Sequence, residues 1–165
     1  YATARMYGIL KQRDVGVVGI KFIGTGWNID NCGYIFDEQG IAYPACYNQS
    51  MFRESYDDRM FLRRDVSMVD LDFCMIDAKL YRKVGGFNPR LKGRDVILDF
   101  CLKTRAADRR IVFEPSIVAH KREADNSSSQ ESNAILMEQW KDQLQMGDPY
   151  YNSNLPVGLE NYILY

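Results

Sequence analysis

The sequence predicts an α/β domain built on a mixed β-sheet flanked by helices. Three observations carry that expectation. Val15–Ile23 is an apolar run rich in β-branched residues and bounded by Gly24-Thr25-Gly26, the mark of a strand buried inside a sheet. Two later segments change to helical spacing: Ile97, Phe100, Cys101 and Thr104 fall at i, i+3, i+4 and i+7, and Leu136, Trp140 and Leu144 at i, i+4 and i+8. Between those segments, short apolar runs at 109–113 and 116–120 read as further strands.

Length and composition agree with this. At 165 residues and 46% hydrophobic, the chain fits one globular domain, 1–165, large enough to bury a core. A net charge of −1, from 21 basic and 22 acidic residues, argues against a nucleic-acid partner or an anionic membrane surface. The sequence has no apolar run long enough for a transmembrane segment, and no signal-peptide pattern. Cys32, Cys46, Cys74 and Cys101 form no Cys-x-x-Cys, so neither a zinc site nor a disulfide framework is implied, and buried reduced thiols of a cytoplasmic protein are expected. The first residue is Tyr1 rather than Met, which suits a piece of a longer protein.

Taken in order, residues 1–13 read as a helix with Ala2, Met6, Ile9 and Leu10 on one stripe, ended by Asp14 and Gly16. The strand Val15–Ile23 follows. Residues 31–36, the polar turn Asp37-Glu38-Gln39-Gly40 and residues 41–43 predict a hairpin, with Pro44 at its exit. Residues 46–64 keep no clean period and read as a partly ordered insertion, with Met51, Phe52, Tyr56, Met60 and Phe61 fitting a short amphipathic helix. Residues 65–76 alternate as one strand, with Val66, Met68, Asp70 and Asp72 on one face and Val69, Leu71 and Phe73 on the other. Asp77 reads as the N-cap of a helix through Val84, with Leu80, Tyr81 and Val84 inward. Residues 121–130 are charged and serine-rich and read as a mobile loop. In the helix predicted at 131–145, Trp140 stands on the apolar stripe, which favours the core over a sugar-stacking platform. Gly147-Asp148-Pro149 stops that helix, and residues 146–165 form an aromatic tail with Tyr150, Tyr151, Tyr162 and Tyr165.

The stretch from Gly85 to His120 holds most of the chemistry. Gly85-Gly86 before Phe87-Asn88-Pro89 predicts a chain reversal, and Gly93 opens the helix after it. Opposite its apolar stripe that helix carries Asp95 and Asp99, whose carboxylates share one face within a turn. They are either a solvated face screened by Arg94, Lys103 and Arg105, or a general base with a positioning partner or a cation site. Asp70 and Asp72 line the same cavity or a solvated edge. Glu114-Pro115 is expected to break the strand pair, and His120, the only histidine, ends the second run. A lone histidine at a strand end is usually structural, yet open α/β sheets place ligands at the carboxyl ends of their strands.

Gly85-Gly86-Phe87, Arg94-Asp95-Val96, Asp99-Phe100-Cys101-Leu102-Lys103, Arg110-Ile111-Val112, Pro115 and His120 together resemble the second half of family 2 glycosyltransferases of the GT-A fold. Trp140 and the tail Gly147-Asp148-Pro149-Tyr150-Tyr151-Asn152-Ser153-Asn154-Leu155 resemble a motif of members that build cell-surface polysaccharides. The chain departs from the pattern at Asn88-Pro89, at Ala107-Asp108-Arg109, at Ser153, and at Val96-Ile97-Leu98, which widens the spacing of the two aspartates.

The resemblance implies the acceptor-binding half of an inverting glycosyltransferase. Such an enzyme moves a sugar from a nucleotide-diphospho-sugar donor to a saccharide acceptor, in the cytoplasm or at the inner face of the membrane. Asp95 or Asp99 would be the catalytic base. Asp70, Asp72, Arg94, Gly86 and Phe87 would bind substrate, and His120 would meet the Mn²⁺ or Mg²⁺ ion at the diphosphate. Counting back from Gly85 puts Asp70-Leu71-Asp72 on the acceptor-site strand, so it is not the family's metal-binding Asp-x-Asp. The chain carries no strand, glycine-rich loop and helix signature for a nucleotide, so the donor half is expected upstream of Tyr1, and the fragment alone should bind nucleotide sugar weakly and not turn over. An exposed apolar edge at 15–23 would favour a homo-oligomer. The competing reading is a non-catalytic glycan- or protein-binding module of the same fold, favoured by Asn88-Pro89 and the widened aspartate spacing.

Overall fold

The computed structural model describes residues 1–52, 58–121 and 128–152. They form a mixed α/β structure whose principal sheet has five strands. Helix α1 (Ala2–Leu10) turns its Met6 and Ile9 inward, and Asp14, at φ 69°, reverses the chain into strand β1 (Val15–Ile23). Every residue of β1 is buried, as an apolar run on both faces requires.

Strand β1 is the centre of the sheet. Along one edge it pairs in parallel with β7 (Arg110–His120), and along the other it pairs antiparallel with β2 (Ile29–Asn31) and β6 (Cys74–Ile76), while β5 (Arg64–Asp65) adds antiparallel to β7. The expected exposed edge at 15–23 is therefore overturned, and with it the ground for a homo-oligomer through that edge. The sheet needs a close approach at Gly19, where a Cβ would stand 2.4 Å from the side chain of Val69.

Two apolar layers cover the sheet. On one face Met6 and Ile9 pack with Val15, Val18, Ile20, Phe22, Val112 and Ile117. On the other, α3 (Arg94–Ala106) and α4 (Gln130–Gln145) bring in Ile97, Phe100, Cys101, Leu136, Trp140 and Leu144, so Trp140 belongs to the core. The hairpin is β3 (Tyr34–Phe36) against β4 (Ala42–Pro44), closed by Asp37, whose Oδ1 accepts from the N–H groups of Gln39 and Ile41. It begins later than predicted because Asn31 pairs with Phe22 in the main sheet and Gly33, at φ 88°, turns the chain between.

Two predicted strands come out differently. Residues 65–76 are not one strand: β5 and β6 are its ends, and 66–73 between them make only an isolated bridge, Met68 to Tyr34. Within that interval Asp70 Oδ1 accepts the N–H of Asp72 at 3.0 Å, a local turn that also keeps 70–72 from continuing as a strand. At Glu114-Pro115 the break predicted after β7 begins is a bulge instead. Ile20 pairs with Glu114 and Lys21 with Val118, so Pro115, Ser116 and Ile117 are looped out where a residue without an N–H does no harm to the ladder.

The segment before the site is built as expected. Asp77 caps α2 (Ala78–Lys83), its Oδ1 accepting the Leu80 N–H at 2.7 Å, a contact of about 1 kcal/mol. Gly85 and Gly86 then adopt φ 85° and 67°, and a Cβ at Gly86 would meet the Tyr81 ring at 2.8 Å. Ser129 caps α4 by accepting the Ser132 N–H, so this helix starts one residue earlier than predicted. Past it, Asp148 ties the chain down: it accepts from Phe36 N–H, Ser67 Oγ and Tyr150 N–H, and burial raises its carboxyl above the usual range despite those bonds. Of the expected mobile loop, 122–127 lie outside the described residues, as do Tyr56 of the insertion and Tyr162 and Tyr165 of the tail. No helix among the described residues is long and apolar enough to cross a membrane.

Candidate functional site

Two adjoining clefts meet at the N-terminal end of α3. Gly93, at φ 56°, turns the chain so that Arg94 and Asp95 open the helix facing the hairpin. The larger cleft, about 340 Å³, is lined by Ile41 and Ala42 of the hairpin, by Arg94 and Asp95, and by Ser128 and Asn133 at the start of α4. The smaller, about 80 Å³, is lined by Tyr34, Asp70, Asp72, Arg94 and Ile97. Arg94 is common to both. Its guanidinium lies 5.2 Å from the centre of the Tyr34 ring and donates to the Ala42 carbonyl, while its Nε is buried with no acceptor among the described residues.

Asp95 is only 3% exposed although it lines the larger cleft. One carboxylate oxygen accepts from Ser128 Oγ at 2.6 Å, and the other is buried without a hydrogen-bond partner among the described residues. An orphaned buried acceptor costs about 1–3 kcal/mol, and this one belongs to a residue that lines a cleft. The first-turn N–H groups of α3 offset part of the cost of the charge.

Asp99 has a different fate. It is fully buried, accepts from Trp140 Nε1 at 2.8 Å and from Gln139 Nε2 at 3.1 Å, and lines neither cleft. Lys103 Nζ reaches its second oxygen at 2.7 Å, off the hydrogen-bonding direction, so that contact is chiefly coulombic. The reading of Asp95 and Asp99 as a solvated pair is thus corrected, since both are buried. The helix turns them to different neighbours: Asp95 to a cleft, Asp99 to α4.

Asp70 and Asp72 meet around a residue that sequence reasoning missed. Lys121 Nζ lies 2.5 Å from Asp70, 3.2 Å from Asp72 and 4.0 Å from Asp30. Asp70 also accepts from Tyr34 Oη at 2.8 Å and Asn31 Nδ2 at 3.0 Å. Burial opposes ionisation of Asp70, but the bonds from Lys121, the Asp72 N–H and Tyr34 outweigh it, and its carboxyl falls below the usual range. Burial likewise works against the Lys121 ammonium, and Asp70 more than compensates, holding its pKa up. The one available signal for Lys121 was its place directly after His120 at the carboxyl end of a central strand. So Asp70 and Asp72 share Arg94 with the Asp95 cleft without lining it.

That ion pair has a pH signature. Lys121→Met leaves Asp70 buried without its cation, a large loss near neutral pH. Since the wild-type carboxyl is depressed, its contribution is present above the unfolded value of about 3.9 and lost as pH falls through the folded one. The stability difference between wild type and variant, from urea unfolding, should therefore shrink on going from about pH 7 to below about pH 4. A gap independent of pH would mean that Asp70 is not the group Lys121 serves.

The remaining predicted site residues lie apart from the clefts. Phe87 packs on Tyr81 and Phe100, with ring centres 5.2 and 5.1 Å away, and the Gly86 carbonyl accepts from Lys103 Nζ. Both shape the turn before α3. His120 closes β7 with its ring edge-on to Trp27 at 5.5 Å. Among the described residues no group of three His, Cys, Asp or Glu side chains is placed to hold a metal ion. No family model, no curated protein and no solved structure matches this chain.

Proposed function

We propose that this chain is the acceptor-binding half of an inverting glycosyltransferase of the GT-A type, with Asp95 as the catalytic base. The observation that carries the reading is the buried carboxylate of Asp95, a residue that lines a cleft of about 340 Å³, enough for a sugar unit, with one oxygen held by Ser128 and the other buried without a partner among the described residues. The motif resemblance around Arg94-Asp95-Val96 and the Asp-Pro-Tyr-Tyr tail supports it from the sequence.

In the reaction, the free oxygen of Asp95 takes the proton of an acceptor hydroxyl. The acceptor oxygen forms its bond to the anomeric carbon from the face opposite the leaving group, the bond to the diphosphate oxygen breaks, and its electron pair departs with the nucleotide diphosphate. Ser128 orients the carboxylate by donating to its other oxygen. Arg94, which lines both clefts, would hold the acceptor's hydroxyls through its guanidinium. Asp70, Asp72 and Lys121 keep the Tyr34 side of the cleft in place. His120 would be one ligand of a Mn²⁺ or Mg²⁺ ion, which when bound would neutralise charge on the departing diphosphate; its other ligands would have to come from outside the described residues.

The complete protein, incubated with Mn²⁺, UDP-, dTDP- or GDP-sugars and oligosaccharide acceptors, should release nucleoside diphosphate in an acceptor-dependent manner. Acceptor binding with no release under any donor would replace this reading by that of a glycan-binding module.

A further inference from the structure

Away from both clefts, where β7 bulges, Lys21 projects from the middle of β1 into a cavity of about 300 Å³. The cavity is also lined by Arg5, Phe61, Arg63, Glu114 and Ser116, and shares no residue with the clefts at α3. Lys21 is only 4% exposed, and among the described residues its ammonium has neither a carboxylate nor a hydrogen-bond acceptor; its contact is the face of the Phe61 ring, 4.9 Å away. Its ammonium thus faces the cavity with no counter-ion among the described residues, and a contact with a ring face compensates a desolvated charge only in part.

The neighbouring charges do not supply the missing anion. Glu114, 1% exposed, is already committed: Arg63 donates from Nε at 2.8 Å and approaches with Nη2 at 2.6 Å, and the Ser116 N–H donates at 3.0 Å. Arg5 Nε lies 3.3 Å from the same carboxylate, without a hydrogen bond of good geometry among the described residues, so the two arginines share one counter-ion. Three cations face one carboxylate, a formal surplus of two positive charges within one cavity. Burial accordingly pushes the Lys21 ammonium towards its neutral form.

We propose that this cavity is a binding site for a small phosphate dianion, free or as the phosphate of a small monoester, held by Lys21, Arg5 and Arg63. A phosphate monoester carries about −1.5 to −2 at neutral pH, which matches the surplus, and its three oxygens can accept from all three cations at once. Glu114 fixes the two arginines; its own repulsion is stronger for a dianion than for a monoanion, so any preference for phosphate comes from the three cations and not from Glu114. The site stands independently of the reading of Asp95.

Inorganic phosphate is the probe, with glycerol 2-phosphate as the monoester, both against chloride at matched ionic strength. The wild-type melting temperature should rise with the logarithm of phosphate concentration, and titration calorimetry should give one saturable site. Lys21→Met should weaken phosphate binding by at least about ten-fold, while raising the melting temperature in phosphate-free buffer because a buried unpaired charge is gone. Tighter binding of the monoester than of inorganic phosphate would assign the site to phosphorylated metabolites, and the reverse order to free phosphate. As a check that needs no variant, saturating phosphate should slow acetylation of Lys21 by acetic anhydride, relative to exposed Lys79, as read by mass spectrometry. A wild-type protein that responds to phosphate no more than to chloride, or Lys21 acetylation unaffected by it, overturns the assignment.

Discussion

Replacing Asp95 by asparagine in the complete protein is expected to lower kcat by about 10²–10⁴, the usual worth of a general base, with KM for the donor nearly unchanged. The amide keeps the shape of the side chain and can still accept from Ser128, so the variant should fold and bind as before. What it loses is the ability to take a proton. Steady-state kinetics with a saturating donor, together with a thermal unfolding scan to show an intact fold, make the test. Turnover near wild type would remove Asp95 from the chemistry and leave its orphaned oxygen as an acceptor-binding group. Ser128→Ala should have a smaller effect, since it loosens the orientation of the carboxylate without removing it.

Asp99 should behave in the opposite way. Asp99→Ala withdraws the acceptor of Trp140 and Gln139 and leaves Lys103, 18% exposed at its side chain, without its counter-charge. Breaking a buried pair from one side costs about 3–5 kcal/mol, a large part of the stability of a domain this size. Urea unfolding at neutral pH should show it as a fall in midpoint at constant slope. In Asp99→Leu with Lys103→Met the two charges go together, and much of the loss should return. Near-wild-type stability of Asp99→Ala would mean that α3 and α4 are held by their apolar contacts alone. Activity in the Asp99 variants should track the folded fraction, which separates this residue from Asp95 despite the single helical turn between them.

A good part of the architecture was legible beforehand because it is local. The span of β1 follows from nine consecutive residues that suit a buried strand, the Asp77 cap from one side chain reaching the N–H of Leu80, and the α3 stripe from helical spacing. The turn at Gly85-Gly86 needs only glycine's tolerance of positive φ. Arg94 and Asp95 were likewise placed by position, at the start of a helix opened by Gly93.

Other features depend on residues distant in the chain, and no pattern of period two or 3.6 encodes them. The alternation of 65–76 reads as one strand until Asp70 is drawn inward by Tyr34, Asn31 and Lys121, which lie 36, 39 and 51 residues away. Whether Pro115 breaks β7 or bulges it depends on β1 alongside, whose register resumes three residues later. The sequence by itself determined the helices flanking the sheet and the central strand β1, and that acidic residues would gather near α3, because propensity and amphipathic spacing act within a few residues. Only the tertiary structure decided which aspartate faces a cleft and which is sealed against Trp140. The burial and partners of a charge are set by what packs against it, and for Asp99 that is a helix about forty residues downstream in a chain whose contacts are largely long-range.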